Sequence, residues 1–237
     1  MSRPQLKICG MLHPANIREV AALQPDYLGF IFFKGSKRFA GAVLPEVLEA
    51  LPENIKRTGV FVNETLETVL SLVQKYQLNA LQLHGAESPE YCSELSVRLN
   101  SRSGLSAAAE LNANSAAAKT ETTGATEKVQ LIKAFGVNED FDFSRLNPYI
   151  GIVDYFLFDT QTPDHGGSGK QFDWQLLEKY TLDLPYFLSG GIGVESAEML
   201  NSNLDHRLFA IDVNSKFEIE PGLKDLEKLK AFKSKLL

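Results

Sequence analysis

The sequence predicts an α/β protein built as one closed barrel of eight parallel strands, a (β/α)8 barrel. Eight short apolar runs alternate with helical patterns along the chain. The length of 237 residues suits a single barrel of this kind. The turn after the first strand, residues 9–13, also lacks the GxGxxG pattern that an open doubly wound sheet usually carries there. The closed barrel is therefore favoured over the open sheet.

Each predicted strand is an apolar run bounded by glycine or polar residues. The strands are predicted at residues 6–10, 27–33, 59–62, 80–85, 129–135, 155–159, 184–188 and 208–213. The helices are predicted from their apolar spacing, with Thr65, Ser88 and Asp173 as N-caps. Their patterns begin at Pro14, Leu44, Glu67, Pro89, Phe141, Trp174, Glu195 and Leu223.

Residues 101–127 break this alternation, between the fourth helix and the fifth strand. The segment consists largely of Ser, Ala, Asn, Thr and Glu and contains no aromatic residue. Such a composition buries too little apolar surface to offset chain entropy, so we expect a flexible insertion with some alanine-rich helix. The remainder of 1–237 is expected to form one domain.

Composition excludes several functional classes. The net charge of -6 argues against a general nucleic-acid binder. The amino end has no apolar signal segment and no run is long enough to span a membrane, so a cytoplasmic protein is expected. The two cysteines, Cys9 and Cys92, form no CxxC or Cys/His cluster, which indicates neither a disulfide framework nor a zinc site.

The carboxyl ends of barrel strands meet at one rim, where catalytic residues are found. Cys9 and Asp159, at the ends of the first and sixth strands, are the candidate proton-transfer pair. Lys7 lies two positions before Cys9 and points to the same face, where a cation would favour the thiolate. A strand-end cysteine is equally compatible with a small buried hydrophobe, and a strand-end aspartate with a turn cap.

The last two strands end in a candidate anion site. Residues 189–193 form the glycine-rich turn Ser-Gly-Gly-Ile-Gly, and Asn214 and Ser215 follow the eighth strand. Backbone N–H groups in such turns bind phosphate, and these loops are the usual phosphate site of a barrel. Arg38 is either a carboxylate clamp or a solvated loop charge, and His84 is more typical of a hydrogen-bonded strand-end residue than of a catalyst.

Several motifs, taken in order, resemble those of the phosphoribosylanthranilate isomerase family. They are LKICG at 6–10, QLHG at 82–85, Asp159 followed by GGSG at 166–169, SGGI at 189–192, and DVNS at 212–215 followed by Glu218 and PGLKD at 221–225. The resemblance implies an Amadori rearrangement of N-(5-phosphoribosyl)anthranilate in tryptophan biosynthesis, without metal or cofactor. It also implies a small phosphosugar substrate, with either a monomer or a homodimer as the active form.

The resemblance further implies roles for individual residues. Asp159 would be the general acid and Cys9 the general base, and Arg38 would contact the anthranilate carboxylate. His84 would line the site, and the phosphate would be bound by Gly190, Gly191, Asn214 and Ser215. Two positions depart from the family pattern, because Lys216 replaces a common glycine and Ser168 a usual threonine.

Three alternatives remain at this point. The related histidine-pathway isomerase carries an aspartate on strand one instead of Cys9 and needs a second phosphate cradle. Indoleglycerol phosphate synthase needs a strand-end catalytic lysine, for which Lys133 is the central-strand candidate, without evident partner glutamates. A non-catalytic phosphate-ligand binder with this fold is the third, although such a binder would need neither Cys9 nor Asp159.

Overall fold

A closed barrel of eight parallel strands forms the centre of the protein, in a computed structural model that describes residues 3–112, 128–161, 173–202 and 205–236. Each strand pairs with the next along the chain, and β8 pairs with β1 to close the barrel. The predicted (β/α)8 fold, the TIM barrel, is therefore confirmed. The strands are β1 Gln5–Ile8, β2 Tyr27–Ile31, β3 Lys56–Phe61, β4 Ala80–Leu83, β5 Gln130–Val137, β6 Tyr155–Thr160, β7 Tyr186–Leu188 and β8 Leu208–Val213.

Successive residues of a strand point alternately into the barrel and toward the helices. An apolar cluster fills much of the interior, and in it the rings of Tyr27 and Phe187 meet edge to face with centroids 5.4 Å apart. Lys7 and Asp212 are register partners on β1 and β8, and Lys7 is also the register partner of Tyr27 on β2. Because register partners share a face, the two charged side chains also point into the barrel.

Helices surround the barrel and pack on it with a larger apolar core. Within the described residues the α-helices are α1 Pro14–Ala21, α2 Pro45–Glu49, α3 Leu66–Tyr76, α4 Pro89–Asn112, α5 Ala197–Ser202 and α6 Leu226–Lys235. The predicted cap Thr65 accepts a hydrogen bond from the backbone N–H of Thr68. The helices predicted after β5 and β6 are 3-10 helices, Phe143–Tyr149 and Trp174–Lys179. In the described parts of the chain, no helix combines the length and the apolar character that crossing a membrane requires.

The helix α4 extends beyond the predicted start of the insertion. It runs to Asn112, so residues 101–112 continue the helix, and residues 113–127 of the insertion lie outside the described residues. This connection leads from the end of α4 to the amino end of β5. The amino end of β5 lies at the face of the barrel opposite the carboxyl ends of the strands. The division into a barrel domain and a flexible insertion stays a prediction.

A small antiparallel hairpin, β9 Glu218–Glu220 and β10 Leu223–Lys224, follows β8. The sequence pattern instead predicts a helix from Leu223, and this is wrong, because the helix α6 begins only after Asp225. The Asp225 carboxylate accepts hydrogen bonds from the first N–H groups of α6 and fixes its start. Gly222 has φ +87° in the hairpin turn, a conformation that favours glycine.

Candidate active site

The predicted site residues converge on the rim formed by the carboxyl ends of the strands. Cys9 follows β1 directly, His84 follows β4, and Asp159 is the next-to-last residue of β6. Gly190 lies two residues after β7, and Asn214 follows β8 directly. Five loops and strand ends that are distant in sequence thus meet at one mouth. The glycine-rich segment 166–169 lies outside the described residues.

A buried ion pair between Lys7 and Asp212 lies next to Cys9. The Lys7 ammonium lies 2.9 Å from Asp212 Oδ1, with side-chain exposures of 0% and 5%. Burial alone would lower the pKa of Lys7, but Asp212 and the adjacent Cys9 raise it above its ordinary value. Lys7 therefore remains an ammonium ion, next to the candidate base.

The Cys9 thiol is held tightly against the neighbouring strand. A Cβ atom on Gly29 of β2 would lie 2.8 Å from Cys9 Sγ, so only glycine leaves room for the sulfur. Burial raises the pKa of Cys9 above its ordinary value, and Lys7 and Lys224 lower it by less. The lysine thus acts in the direction predicted from its spacing, but burial outweighs it. The neutral thiol is the prevailing form at neutral pH.

Asp159 faces His84 on the other side of the mouth. The distance from His84 Nε2 to Asp159 Oδ2 is 3.5 Å, and Gln82 Nε2 lies 2.6 Å from His84 Nδ1. In the tautomer in which Nδ1 accepts from the Gln82 amide, the ring proton lies on Nε2, the nitrogen that faces Asp159. Burial raises the pKa of Asp212, Lys7 lowers it, and Asp159 raises it further. The pKa of Asp212 is therefore affected by Lys7, beside Cys9, and by Asp159 on the other side of the mouth.

The glycine-rich loop after β7 lies directly against Asp159. Gly190 and Gly191 have φ values of +91° and +63°. A Cβ atom on Gly190 would lie 2.4 Å from Thr160 Oγ1 and 3.1 Å from Asp159 Oδ1. The absence of a side chain at Gly190 thus serves two purposes, since it permits the turn and leaves space for the candidate acid.

Gly190→Ala is expected to lower kcat/KM by about a hundredfold, because the methyl group would displace Asp159 and the loop, and small displacements at a reacting centre are costly. Gly151→Ala is the matched control, since Gly151 has φ +77° and nothing within 4 Å of an added Cβ. Kinetics and thermal melting of both variants separate backbone strain from the clash. Equal losses of activity in the two variants would contradict this explanation.

Lys216, which replaces a glycine common in the family, lies in the loop after β8. Its ammonium lies 2.8 Å from Glu195 Oε1, with side-chain exposures of 36% and 69%. This ion pair links the loops after β7 and β8. Exposed ion pairs contribute little to stability, so the Lys216–Glu195 pair does not hold the loop after β8 in place. Asn214 is held more firmly, because its Oδ1 accepts a hydrogen bond from buried Lys224 at 2.8 Å.

Arg38 lies at the mouth with its guanidinium bound to a protein carboxylate. Its Nη2 is 2.6 Å from Glu218 Oε2, and its Nε is 2.9 Å from Glu218 Oε1. The family resemblance implies a substrate contact for Arg38, and no role is predicted for Glu218. The two residues are 180 positions apart, and only the fold brings them together.

An open pocket of about 460 Å³ lies beside His84 and Asp159, and its lining includes Lys133. The expectation that Lys133 lacks a partner glutamate is wrong, because its Nζ lies 3.2 Å from Glu87 Oε2. It also donates to the backbone carbonyl of Gly85 at 2.9 Å, and burial lowers its pKa. These bonds tie the loop after β4 to β5. The Lys133–Glu87 ion pair could not be predicted from the sequence, because Glu87 resembles an ordinary loop residue before a helix cap.

The closed barrel, with a thiol and a carboxyl group among the residues of its strand-end rim, has the architecture of TIM-barrel enzymes. A family model described as N-(5'phosphoribosyl)anthranilate (PRA) isomerase matches residues 6–126 and 119–235. The chain therefore belongs to the phosphoribosylanthranilate isomerase family. This family assignment confirms the predicted isomerase class and the place in tryptophan biosynthesis.

Individual relatives are similar over nearly the whole chain. The N-(5'-phosphoribosyl)anthranilate isomerase of Parabacteroides distasonis is 44% identical over 234 residues, which cover 98% of this chain and 93% of the relative. The crystal structure of the enzyme from Thermotoga maritima has a TM-score of 0.75 and 33% identity, covering 98% of each chain. A further solved isomerase, bound to reduced 1-(o-carboxyphenylamino)-1-deoxyribulose 5-phosphate, has a TM-score of 0.71 and 30% identity over 97% of this chain and 96% of its own.

Proposed function

We propose that this protein converts N-(5-phosphoribosyl)anthranilate to 1-(2-carboxyphenylamino)-1-deoxyribulose 5-phosphate by an Amadori rearrangement. The observation that carries the proposal is the family match along nearly the whole chain, combined with Cys9 and Asp159 on one barrel rim. The solved relative that holds the reduced form of this product supports the same substrate class.

Asp159 acts as the general acid in the first step. Its proton passes to the ring oxygen of the furanose, the bond between that oxygen and C1 breaks, and the anthranilate nitrogen forms a C=N⁺ bond to C1. The backbone N–H of Thr160 donates to Asp159 Oδ1 at 2.8 Å, which orients the carboxyl group. Oδ2, on the His84 side, is the oxygen that delivers the proton.

Cys9 acts as the general base in the second step. The iminium makes the C2 proton acidic, so a thiolate of moderate basicity suffices to remove it. The electrons of the C2–H bond form a C1=C2 double bond and neutralise the nitrogen, and the resulting enolamine tautomerises to the ketone. The ammonium groups of Lys7 and Lys224 stabilise the thiolate while it forms.

The remaining predicted contacts hold the two ends of the substrate. Gly190, Gly191, Asn214 and Ser215 bind the phosphate through backbone and side-chain donors, and Arg38 binds the anthranilate carboxylate. His84 lines the site between them. We infer a cytoplasmic monomer or homodimer that acts on this small molecule, with no nucleic-acid or membrane partner. The ring opening and the removal of the C2 proton each include a proton transfer that the named side chain can perform.

We expect the Cys9 thiolate to accumulate only as the pH rises above neutral. Burial raises the pKa of Cys9, so the thiolate fraction is small at neutral pH and grows as the pH increases. A thiolate absorbs in the ultraviolet, and the difference in absorbance between the parent protein and Cys9→Ser across pH is the measurement to make. A Cys9 thiolate signal that is already complete at pH 7 would contradict this effect of burial.

The direct test of the function is to mix the protein with freshly prepared N-(5-phosphoribosyl)anthranilate and follow the decay of anthranilate fluorescence. We expect a decay that is faster than the spontaneous loss of the substrate and proportional to protein concentration. A phosphate-ligand binder without catalytic activity would leave the spontaneous rate unchanged, and that result would overturn the proposal.

A further inference from the structure

The hairpin β9–β10 places a buried carboxylate next to the candidate substrate clamp. Glu218 receives two hydrogen bonds from Arg38 Nε, at 2.9 and 3.0 Å, and one from Nη2 at 2.6 Å. Glu218 Oε1 also accepts from Lys224 Nζ at 2.7 Å and from the backbone N–H of Gly222 at 3.1 Å. The carboxylate thus lies between two cations.

All three charged side chains are largely shielded from water. Their exposed fractions are 13% for Arg38, 5% for Glu218 and 0% for Lys224. Two cations and one carboxylate leave one net positive charge at the mouth. A single additional carboxylate, such as that of an anthranilate group, would balance this charge.

The geometry of the guanidinium shows which of its edges is free to bind. Arginine has five N–H donors on a planar fork, and a carboxylate can bind it from the side, through Nε and one Nη, or from the end. Glu218 occupies the side edge of Arg38, through Nε and Nη2. The end edge, which includes Nη1, remains directed away from Glu218.

The hairpin is itself anchored to the barrel and to the candidate phosphate loop. Asn16 of α1 makes two hydrogen bonds to the backbone of Lys224, at 2.7 and 3.0 Å. The Lys224 ammonium donates to Asn214 Oδ1 at 2.8 Å. A Cβ atom on Gly10 would lie 2.7 Å from both Arg38 Cδ and Asn214 Oδ1. Arg38 and the candidate phosphate loop therefore both pack against Gly10, the residue next to Cys9.

We propose that Glu218 is a positioning residue, which holds Arg38 by its side edge so that the end edge faces the substrate carboxylate. Lys224 helps to hold Glu218 in place through its hydrogen bond to Glu218 Oε1. The inference rests on the proposed function, in which Arg38 binds the anthranilate carboxylate. Glu218 touches no reacting atom in this assignment.

Glu218 could instead compete with the substrate for Arg38, and the change in KM would then have the opposite sign. If Glu218 occupied the place of the substrate carboxylate on Arg38, it would compete with substrate, and its removal would lower KM. If it positions Arg38, its removal frees the guanidinium to rotate and KM rises. The sign of the change in KM therefore decides between the two.

The experiment compares Glu218→Gln with Glu220→Gln, an exposed glutamate of the same hairpin strand. We expect Glu218→Gln to raise KM about tenfold or more with kcat changed by less than about threefold, and Glu220→Gln to match the parent protein. The aniline analogue of the substrate, which lacks the carboxylate, should show no such change in KM. Glu218→Asp, which keeps the charge but withdraws it from Arg38, should raise KM in the same direction and serves if the glutamine variant folds poorly.

A double variant separates this inference from the proposed function. In an Arg38→Ala background, Glu218→Gln should have no further effect on KM, because the residue acts only through Arg38. If Arg38→Ala leaves KM unchanged, the proposed carboxylate contact is wrong. If Arg38→Ala raises KM but Glu218→Gln does not, or lowers it, the positioning role alone is wrong. An equal effect of Glu218→Gln on the aniline analogue would also overturn it.

Discussion

Cys9→Ser and Asp159→Asn are each expected to lower kcat by about a hundredfold or more, with smaller changes in KM. Serine has nearly the size of cysteine, but its hydroxyl has a far higher pKa and supplies almost no anion at neutral pH. Asparagine keeps the shape of the aspartate and removes its transferable proton. The substrate contacts at the two ends of the site are unchanged in both variants, which is why KM should vary less than kcat.

The matched controls are Cys92→Ser and Asp140→Asn. Cys92 is the other buried cysteine and lies in the helix α4, while Asp140 is an exposed loop carboxylate. Both controls should keep the parent kcat in the fluorescence assay. An unchanged kcat in Cys9→Ser and Asp159→Asn would refute the assigned roles. A similar loss in Cys92→Ser would show that the effect of removing a buried thiol is general and not specific to Cys9.

Lys7→Met is expected to have the second-largest effect, because it removes one partner of a buried ion pair next to Cys9. Asp212 would then remain buried without its cation, and breaking such a pair costs about 3–5 kcal/mol in the free energy of unfolding. The folded fraction should also lose kcat/KM, since Cys9 would lose the nearest charge that lowers its pKa. Denaturant unfolding and steady-state kinetics on the same preparation measure the two effects separately.

A control and a double variant define how the Lys7 result is interpreted. Lys230→Met removes an exposed ion pair with Glu227, whose members are 54% and 83% exposed, and it should change stability by less than about 1 kcal/mol. Lys7→Met combined with Asp212→Leu removes both buried charges, so it should recover much of the stability but only part of the activity, because Asp212 raises the pKa of Cys9 by less than Lys7 lowers it. Full recovery of activity in the double variant would show that Cys9 does not depend on Lys7.

The order of strands and helices could be predicted because its signals are local. Apolar runs such as that of β6 and N-caps such as Thr65 act within a few residues of the positions that they define. The extent of α4 and the hairpin β9–β10 could not be predicted in the same way. The hairpin depends on Glu218 and Lys224, whose partners Arg38 and Asn16 lie about 180 and 208 residues away in the chain.

The barrel, the strand-end residues at its rim and the family to which they point could all be predicted from the amino-acid sequence. The alternation of strands dictates which residues share that rim, and this needs no knowledge of distances. The electrostatics of the site could be read only from the folded protein. It showed that burial outweighs Lys7 in setting the pKa of Cys9, that Glu218 occupies one edge of Arg38, and that Glu87 pairs with Lys133. Desolvation and charge pairing depend on which distant segments pack together, and no short stretch of sequence specifies this.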